Sequence, residues 1–196
     1  KLEKSVQYQD QVLKYALSQD DEKAEAVALN QYGRILSHFG NFEASDSLLS
    51  EAESIFFRLH DQRGLMDLKV SQGINYLDWS KYKLAEKTFK EALVLSHKLK
   101  DTLTTNNLWN NLGIIERRNG NYEKALEYYL KAATNHLPAD LFKSKIYNNI
   151  GIIYKSIGEF DKALEYYKKS LAIKEDLGLK KPISYTLHNI GVIYKN

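Results

Sequence analysis

The chain contains no cysteine. That absence excludes disulfides, thiolate nucleophiles and cysteine-ligated zinc together, while leaving the redox compartment open. Proline is scarce as well: only Pro138 and Pro182 occur in 196 residues, and both lie between helical patterns. Runs of Val, Ile and Thr are few, so little of the sequence favours strand. No apolar stretch approaches the roughly 18 residues that a membrane-spanning helix requires. No secretory leader is visible. The first residue is Lys1 rather than Met, and the sequence therefore reads as a fragment of a longer protein. A soluble domain is expected, cytoplasmic by default, with the outer side of a membrane-anchored receptor as the alternative. The formal charge of +3 is too small an imbalance to argue for nucleic acid as a partner.

What is present is helix-forming. Hydrophobic residues make up 43% and charged residues 27%, and Ala, Leu, Lys, Glu and Tyr dominate, a composition that favours helix. The charge is uneven. Residues 1–100 hold 14 basic against 15 acidic side chains, whereas residues 101–196 hold 14 against 10. An anionic partner is therefore expected on the second half.

Self-similarity organises the sequence. "YKLAEKTFKEA" (82–92), "YEKALEYYLKA" (122–132) and "FDKALEYYKKS" (160–170) align without gaps, and "FEASDSLLSEA" (42–52) fits more loosely. A glycine lies upstream of each, at Gly33, Gly73, Gly113 and Gly151. Gly191 follows with no second half, and the spacings are 40, 40, 38 and 40. Each unit reads as two helices. Tyr147, Ile150, Ile153, Tyr154 and Ile157 make an i, i+3, i+4, i+7 stripe. Gly158 then suits the left-handed residue that ends a helix. Phe160, Ala163, Leu164 and Tyr167 open a second stripe, and Glu123 and Asp161 suit the positive end of a helix dipole. Gly151 lies inside a helix, where glycine costs about 1 kcal/mol against alanine. Its expected role is close helix–helix approach, with Ala163 opposite and Tyr147, Tyr154 and Tyr167 filling the space around it.

The boundaries follow. A lone amphipathic helix occupies 1–20, with Val6, Val12, Leu13, Ala16 and Leu17 on its apolar side. Repeats cover about 23–60, 63–100, 103–137 and 140–178, and a partial repeat covers 181–196. All belong to a single domain of the all-α class.

These residues resemble the tetratricopeptide repeat family. The third unit carries the resemblance in Trp109, Leu112, Gly113, Gly120, Tyr122, Ala125, Tyr129 and Ala132. The fourth carries it in Tyr147, Ile150, Gly151, Tyr154, Gly158, Phe160, Ala163 and Tyr167. The first unit is looser, with Ser45 in place of alanine, and the third departs at Glu116, where an aromatic is expected. The usual period is about 34 residues, so the longer period here implies extra helix shared between both halves of each hairpin. This long form is similar to the repeats of kinesin light chains, spindle-orientation adaptors and bacterial peptide-sensing regulators. It also resembles the arrays that precede histidine kinase or DNA-binding modules in bacterial signalling proteins. The resemblance implies a right-handed α-solenoid that binds a protein or peptide.

No chemistry-bearing constellation emerges. His38, His60, His97, His136 and His188 form no metal-ligating spacing, and neither a phosphate-binding loop nor a nucleophile elbow occurs. Glu123 and Glu127 form an i, i+4 surface pair rather than an acid/base pair. No catalytic residue, cofactor or metal is expected. The recurring tyrosines are read as core, with Tyr128 and Tyr166 packing between repeats rather than stacking on bases.

In the family the first helix of each hairpin lines the concave face. There the sequence aligns an amide-rich column (Gln31, Ser71, Asn111, Asn149, Asn189), a column that turns basic (Ser37, Leu77, Arg117, Lys155, Lys195) and an apolar one (Ile74, Ile114, Ile152, Val192). An asparagine amide both donates and accepts, so a ladder of them suits an extended peptide backbone. The cations suit an acidic side chain or a C-terminal carboxylate. The candidate groove comprises Asn110, Asn111, Ile114, Arg117, Arg118, Lys145, Asn148, Asn149, Ile152, Lys155, His188, Asn189 and Lys195. Open positions in other units include Asn30, Arg34, His38, Asp78, Tyr185 and Asn196. The family's carboxylate clamp needs a Lys/Asn/Arg set across adjacent repeats, which Asn30 and Arg34 do not meet. The alternative is a module that self-assembles through its ends, the C-terminal end being uncapped, without a peptide ligand.

Overall fold

The computed structural model describes residues 2–134 and 140–195. Ten α-helices occur among them: α1 (Leu2–Ser18), α2 (Glu22–His38), α3 (Phe42–Arg58), α4 (Gln62–Asp78), α5 (Tyr82–Lys98), α6 (Thr102–Arg118), α7 (Tyr122–Thr134), α8 (Leu141–Ser156), α9 (Phe160–Asp176) and α10 (Lys180–Lys195). No described residue is in a strand. None of the helices is long and apolar enough to cross a membrane. His136, Pro138 and the open position Asn196 lie outside the described residues.

The chain divides into two compact units, Lys1–Asp101 and Thr102–Asn196. The division coincides with the boundary between the second and third expected repeats. In the first unit α2 pairs with α3, α4 pairs with α5, and α1 packs on α2. In the second, α6 pairs with α7, α8 pairs with α9, and α10 packs on α9.

The long period has a simple origin. From α2 to α6 both helices of each hairpin are 17 residues long. The connections between them are three residues each. Every three-residue connection among the described residues turns on one left-handed residue. It is Gly40, Gly120, Gly158 or Gly178 at some joints, and Asp20, His60, Ser80 or Lys100 at others. Three of the first helices, α2, α4 and α8, start on an aspartate that accepts a main-chain N–H three residues on. Asp21 takes that of Ala24 at 3.0 Å, Asp61 that of Gly64 at 2.9 Å, and Asp140 that of Lys143 at 2.9 Å. Each such bond satisfies a helix-end donor that the helix itself cannot. Glu123 and Asp161 stand in the first turns of α7 and α9, as expected.

The mid-helix glycines Gly33, Gly73, Gly113 and Gly151 each face a large side chain of the second helix. A Cβ on Gly151 would stand 2.6 Å from the Tyr167 ring, and one on Gly113 would stand 2.6 Å from Tyr129. At Gly73 the neighbour is Phe89, at 2.3 Å, and at Gly33 it is Leu49, at 2.8 Å. In each case the large residue lies 16 positions after the glycine. The glycine makes a seat for a side chain of the second helix, and all four of those side chains are fully buried. Around them the first unit's core gathers Ala26, Leu29, Ala52, Ile55, Phe56 and Leu68. The second unit gathers Ala125, Ala132, Ile146, Ile150 and Ile153. In α1, Ala16 is buried and Leu13 packs on the core, but Leu17 faces solvent at 53% exposure, against expectation. The side chain of Val6 lies outside the described set.

Tyr166 stacks on Tyr154 at 5.6 Å and meets Tyr147 at 5.9 Å, both on α8 of the same hairpin. It also packs against the core cluster that α7 of the preceding repeat shares with α8, as expected of a residue between repeats. Glu116, the departure from the family pattern, is buried at 3% exposure. It pairs with Lys124 and accepts from Asn121 Nδ2 at 2.8 Å, so a charge pair stands where an aromatic ring would.

Candidate functional site

The candidate residues lie on α6, α8 and α10, the first helices of the second unit. Each carries two adjacent polar residues at the middle of the helix: Asn110–Asn111, Asn148–Asn149 and His188–Asn189. The structure joins them diagonally. Asn149 donates to Asn110 Oδ1 at 3.0 Å, and Asn189 donates to Asn148 Oδ1 at 3.2 Å. The second asparagine of one helix thus reaches back to the first asparagine of the helix before it. Asn148 and Asn189 are each only 6% exposed. The ladder is therefore partly consumed in fastening repeat to repeat, which alignment into straight columns did not reveal. Asn111 is half-buried and engages its amide in no such bond.

The cations are differently placed. Arg117 and Lys155 are half-buried, whereas Arg118, Lys145, Lys195 and His188 are exposed. Lys145, Lys155 and Lys195 form no ion pair among the described residues, whereas Lys124, Lys131, Lys162 and Lys169 of the same unit each sit beside a carboxylate. Arg117 lies near the hydroxyl of Tyr129, but neither its Nε nor that hydroxyl makes a well-formed hydrogen bond. Burial pushes the Tyr129 hydroxyl up to about 12, with the Arg117 guanidinium pulling the other way. The buried Tyr167 hydroxyl is likewise pushed up to about 12, by burial first and Tyr185 next. Ile114 and Ile152 are half-buried against the cores of the second unit, so they are partly packing residues.

Each unit also holds a cavity. In the first unit, about 480 Å³ is lined by Gln31, Arg34, Ser37 and His38 from α2, by Ser71, Ile74 and Asp78 from α4, and by Gln9 and Ile35. Most of these are the open positions expected from the repeat. Gln9 Oε1 and Ser37 Oγ are buried there without a hydrogen-bond partner. In the second unit, about 430 Å³ is lined by Leu141, Lys145, Asn148 and Asn149 from α8, Lys174 from α9, and Pro182 and Tyr185 from α10. Of the thirteen candidate residues, Lys145, Asn148 and Asn149 line this cavity and the other ten do not. Lys174 escaped sequence reasoning because it lies on a second helix, in a run of charged residues that reads as a solvated face. Among the described residues no group of His, Asp and Glu side chains could hold a metal ion.

Residues 104–176 match the sequence profile of the tetratricopeptide repeat family. No curated protein matches the chain. Among solved structures it is similar to BtubC (BKLC) from P. vanneervenii, with 23% identity and a TM-score of 0.86 over 99% of this chain and 83% of that one. It is similar to aspartyl phosphate phosphatase F from Bacillus subtilis, with 20% identity and a TM-score of 0.86 over 96% of this chain and 50% of that one. NprR in complex with its cognate peptide NprX gives 15% identity and a TM-score of 0.76 over 95% and 55%. The chain thus spans about half the length of the latter two. The family profile thus covers residues 104–176, the same glycine-seated hairpin is repeated before them, and the chain has the fold of these helical-repeat structures.

Proposed function

We propose that the chain is a non-catalytic scaffold that binds a protein or peptide, as the sensory or docking part of a larger bacterial signalling protein. The ligand is an extended peptide lying along α6, α8 and α10. The observation that carries this reading is that Lys145 and Lys155 on α8 and Lys195 on α10 form no ion pair among the described residues, on helices that also carry the amides of Asn148, Asn149 and Asn189. Cations held out of ion pairs along amide-bearing helices suit an acidic or C-terminal peptide segment. NprR, of similar fold, is described in complex with a peptide, which supports the same direction.

The test is selection of a displayed random-peptide library on the purified chain. Fluorescence polarisation then follows on the enriched peptide with Asn111→Ala and Lys155→Ala. Each variant is expected to weaken binding about tenfold, equivalent to about 1.4 kcal/mol, with the melting temperature unchanged. Failure to enrich any peptide, or equal binding by both variants, sinks the proposal.

A second reading is self-association through α10. Tyr185, Leu187 and Tyr194 expose 59%, 49% and 69% of their surfaces there, an apolar set suited to a second copy. Light-scattering mass across a dilution series decides it. A constant monomer mass removes this reading.

A further inference from the structure

Lys174 is an unusual lysine. Only 4% of its surface is exposed, although it lies in the last turn of α9 and belongs to a residue type that is almost never fully buried unless paired. No carboxylate neutralises it. Its Nζ donates to Thr186 Oγ1 at 2.6 Å, and Thr186 in turn donates to the Pro182 carbonyl at 3.3 Å. An ammonium group carries three N–H donors, so one is engaged by a neutral hydroxyl and two are left. Burial pulls the Lys174 ammonium below its usual range, and the charge of nearby Lys145 pulls it further in the same direction. Two cations thus converge on one cavity with no anion, an arrangement that burial makes costly.

The rest of the lining says what would relieve that cost. Leu141, Pro182 and the ring of Tyr185 give the cavity apolar walls, and the amides of Asn148 and Asn149 stand at its edge. We propose that the cavity between α8, α9 and α10 is a carboxylate site, in which Lys174 and Lys145 hold a carboxylate borne on an apolar group. A peptide's terminal carboxylate with an apolar last side chain, or an acidic side chain, supplies that chemistry. The site is not the clamp expected of adjacent first helices, because its buried cation comes from a second helix. It deepens the peptide-binding reading and rests on it.

The test is an NMR titration of the labelled chain with three probes. N-acetyl-leucine carries a terminal carboxylate, N-acetyl-leucinamide carries none, and N-acetyl-glutamic acid α-amide carries a side-chain carboxylate only. N-acetyl-leucine is expected to shift the amide signals of Thr186, Asn148 and Tyr185 and to bind at least about tenfold more tightly than its amide. Lys174→Met, close to isosteric, should keep the fold and erase that difference. Lys145→Ala, at an exposed position, should reduce it. Equal binding of the two carboxylate probes supports the site and assigns it to either source. Equal binding of acid and amide, or no shift at these signals up to the solubility limit, overturns it. If a library-selected peptide depends on Asn111 and Lys155 yet ignores Lys174→Met, this inference alone falls.

Discussion

Gly151 and Tyr167 fit together as seat and ring, with the ring edge 2.6 Å from the place where a glycine Cβ would be. Tyr167 is completely buried and has nowhere to retreat. Gly151→Ala is therefore expected to destabilise the second unit by about 1–3 kcal/mol, the usual cost of overpacking a filled core. Gly191 occupies the equivalent position on α10, and a Cβ there would meet nothing within 4 Å. Gly191→Ala should stabilise by about 0.5–1 kcal/mol, the ordinary gain of alanine over glycine inside a helix. Urea denaturation of the two variants checks both signs. The same sign for both would remove the packing account.

Asp61 sets an acid limit on the first unit. The main-chain N–H of Gly64 and then the Lys23 ammonium, at 2.7 Å, hold its carboxyl below the usual carboxylate range, with burial working against them. The folded state therefore binds the proton less readily than the unfolded chain does. Its contribution is fully present above the ordinary value of about 4 and declines as pH falls through the lower folded value. A cap of this kind contributes about 1 kcal/mol. Asp61→Asn keeps an acceptor for Gly64 and loses the titration. Denaturation midpoints measured down an acid pH series should converge for the two proteins at the acid end. Parallel curves would count against the assignment.

Glu116 should depend on Lys124 more than the reverse. The glutamate side chain is 4% exposed and the lysine side chain 47%, so the lysine can turn to water when its partner is replaced and the glutamate cannot. Lys124→Ala is expected to cost about 1–2 kcal/mol, less than a fully buried pair would because the lysine is half-solvated. Glu116→Gln, which keeps an acceptor for Asn121, should cost less. Combining the two should cost less than the sum. A double-mutant cycle in urea measures the coupling, and strict additivity would show that the pair does not act as one.

The hairpins were legible because glycine and aromatic residues recur at fixed intervals, and an interval survives loose sequence. The seat was legible only in part. Gly151 was matched with small Ala163, whereas the constant offset to Leu49, Phe89, Tyr129 and Tyr167 carried the answer. The turns at Asp20, His60, Ser80 and Lys100 gave no sign, since an L residue forced into the left-handed region looks like any other polar residue. The diagonal bonds of Asn149 with Asn110 and of Asn189 with Asn148 depend on the stagger between neighbouring helices, which alignment of equivalent positions removes. Lys174 was hidden for a related reason. It is followed by the solvent-facing acids Glu175 and Asp176, and it is buried where α10 packs on α9.

The three-residue joints from Gln19 to Asp21 through Asn119 to Asn121 have one further consequence. Each is fully occupied in halting one helix and starting the next, so between α1 and α7 the chain has no free loop on which to graft new chemistry. Many folds change their specificity by lengthening or swapping loops on a fixed frame. Here the vocabulary is written on the helices themselves, one side chain at a time, and a new preference has to arise by point substitution on a helix. Recognition in such a chain shifts in small, discrete steps, and each step leaves the spacing of every other contact where it was.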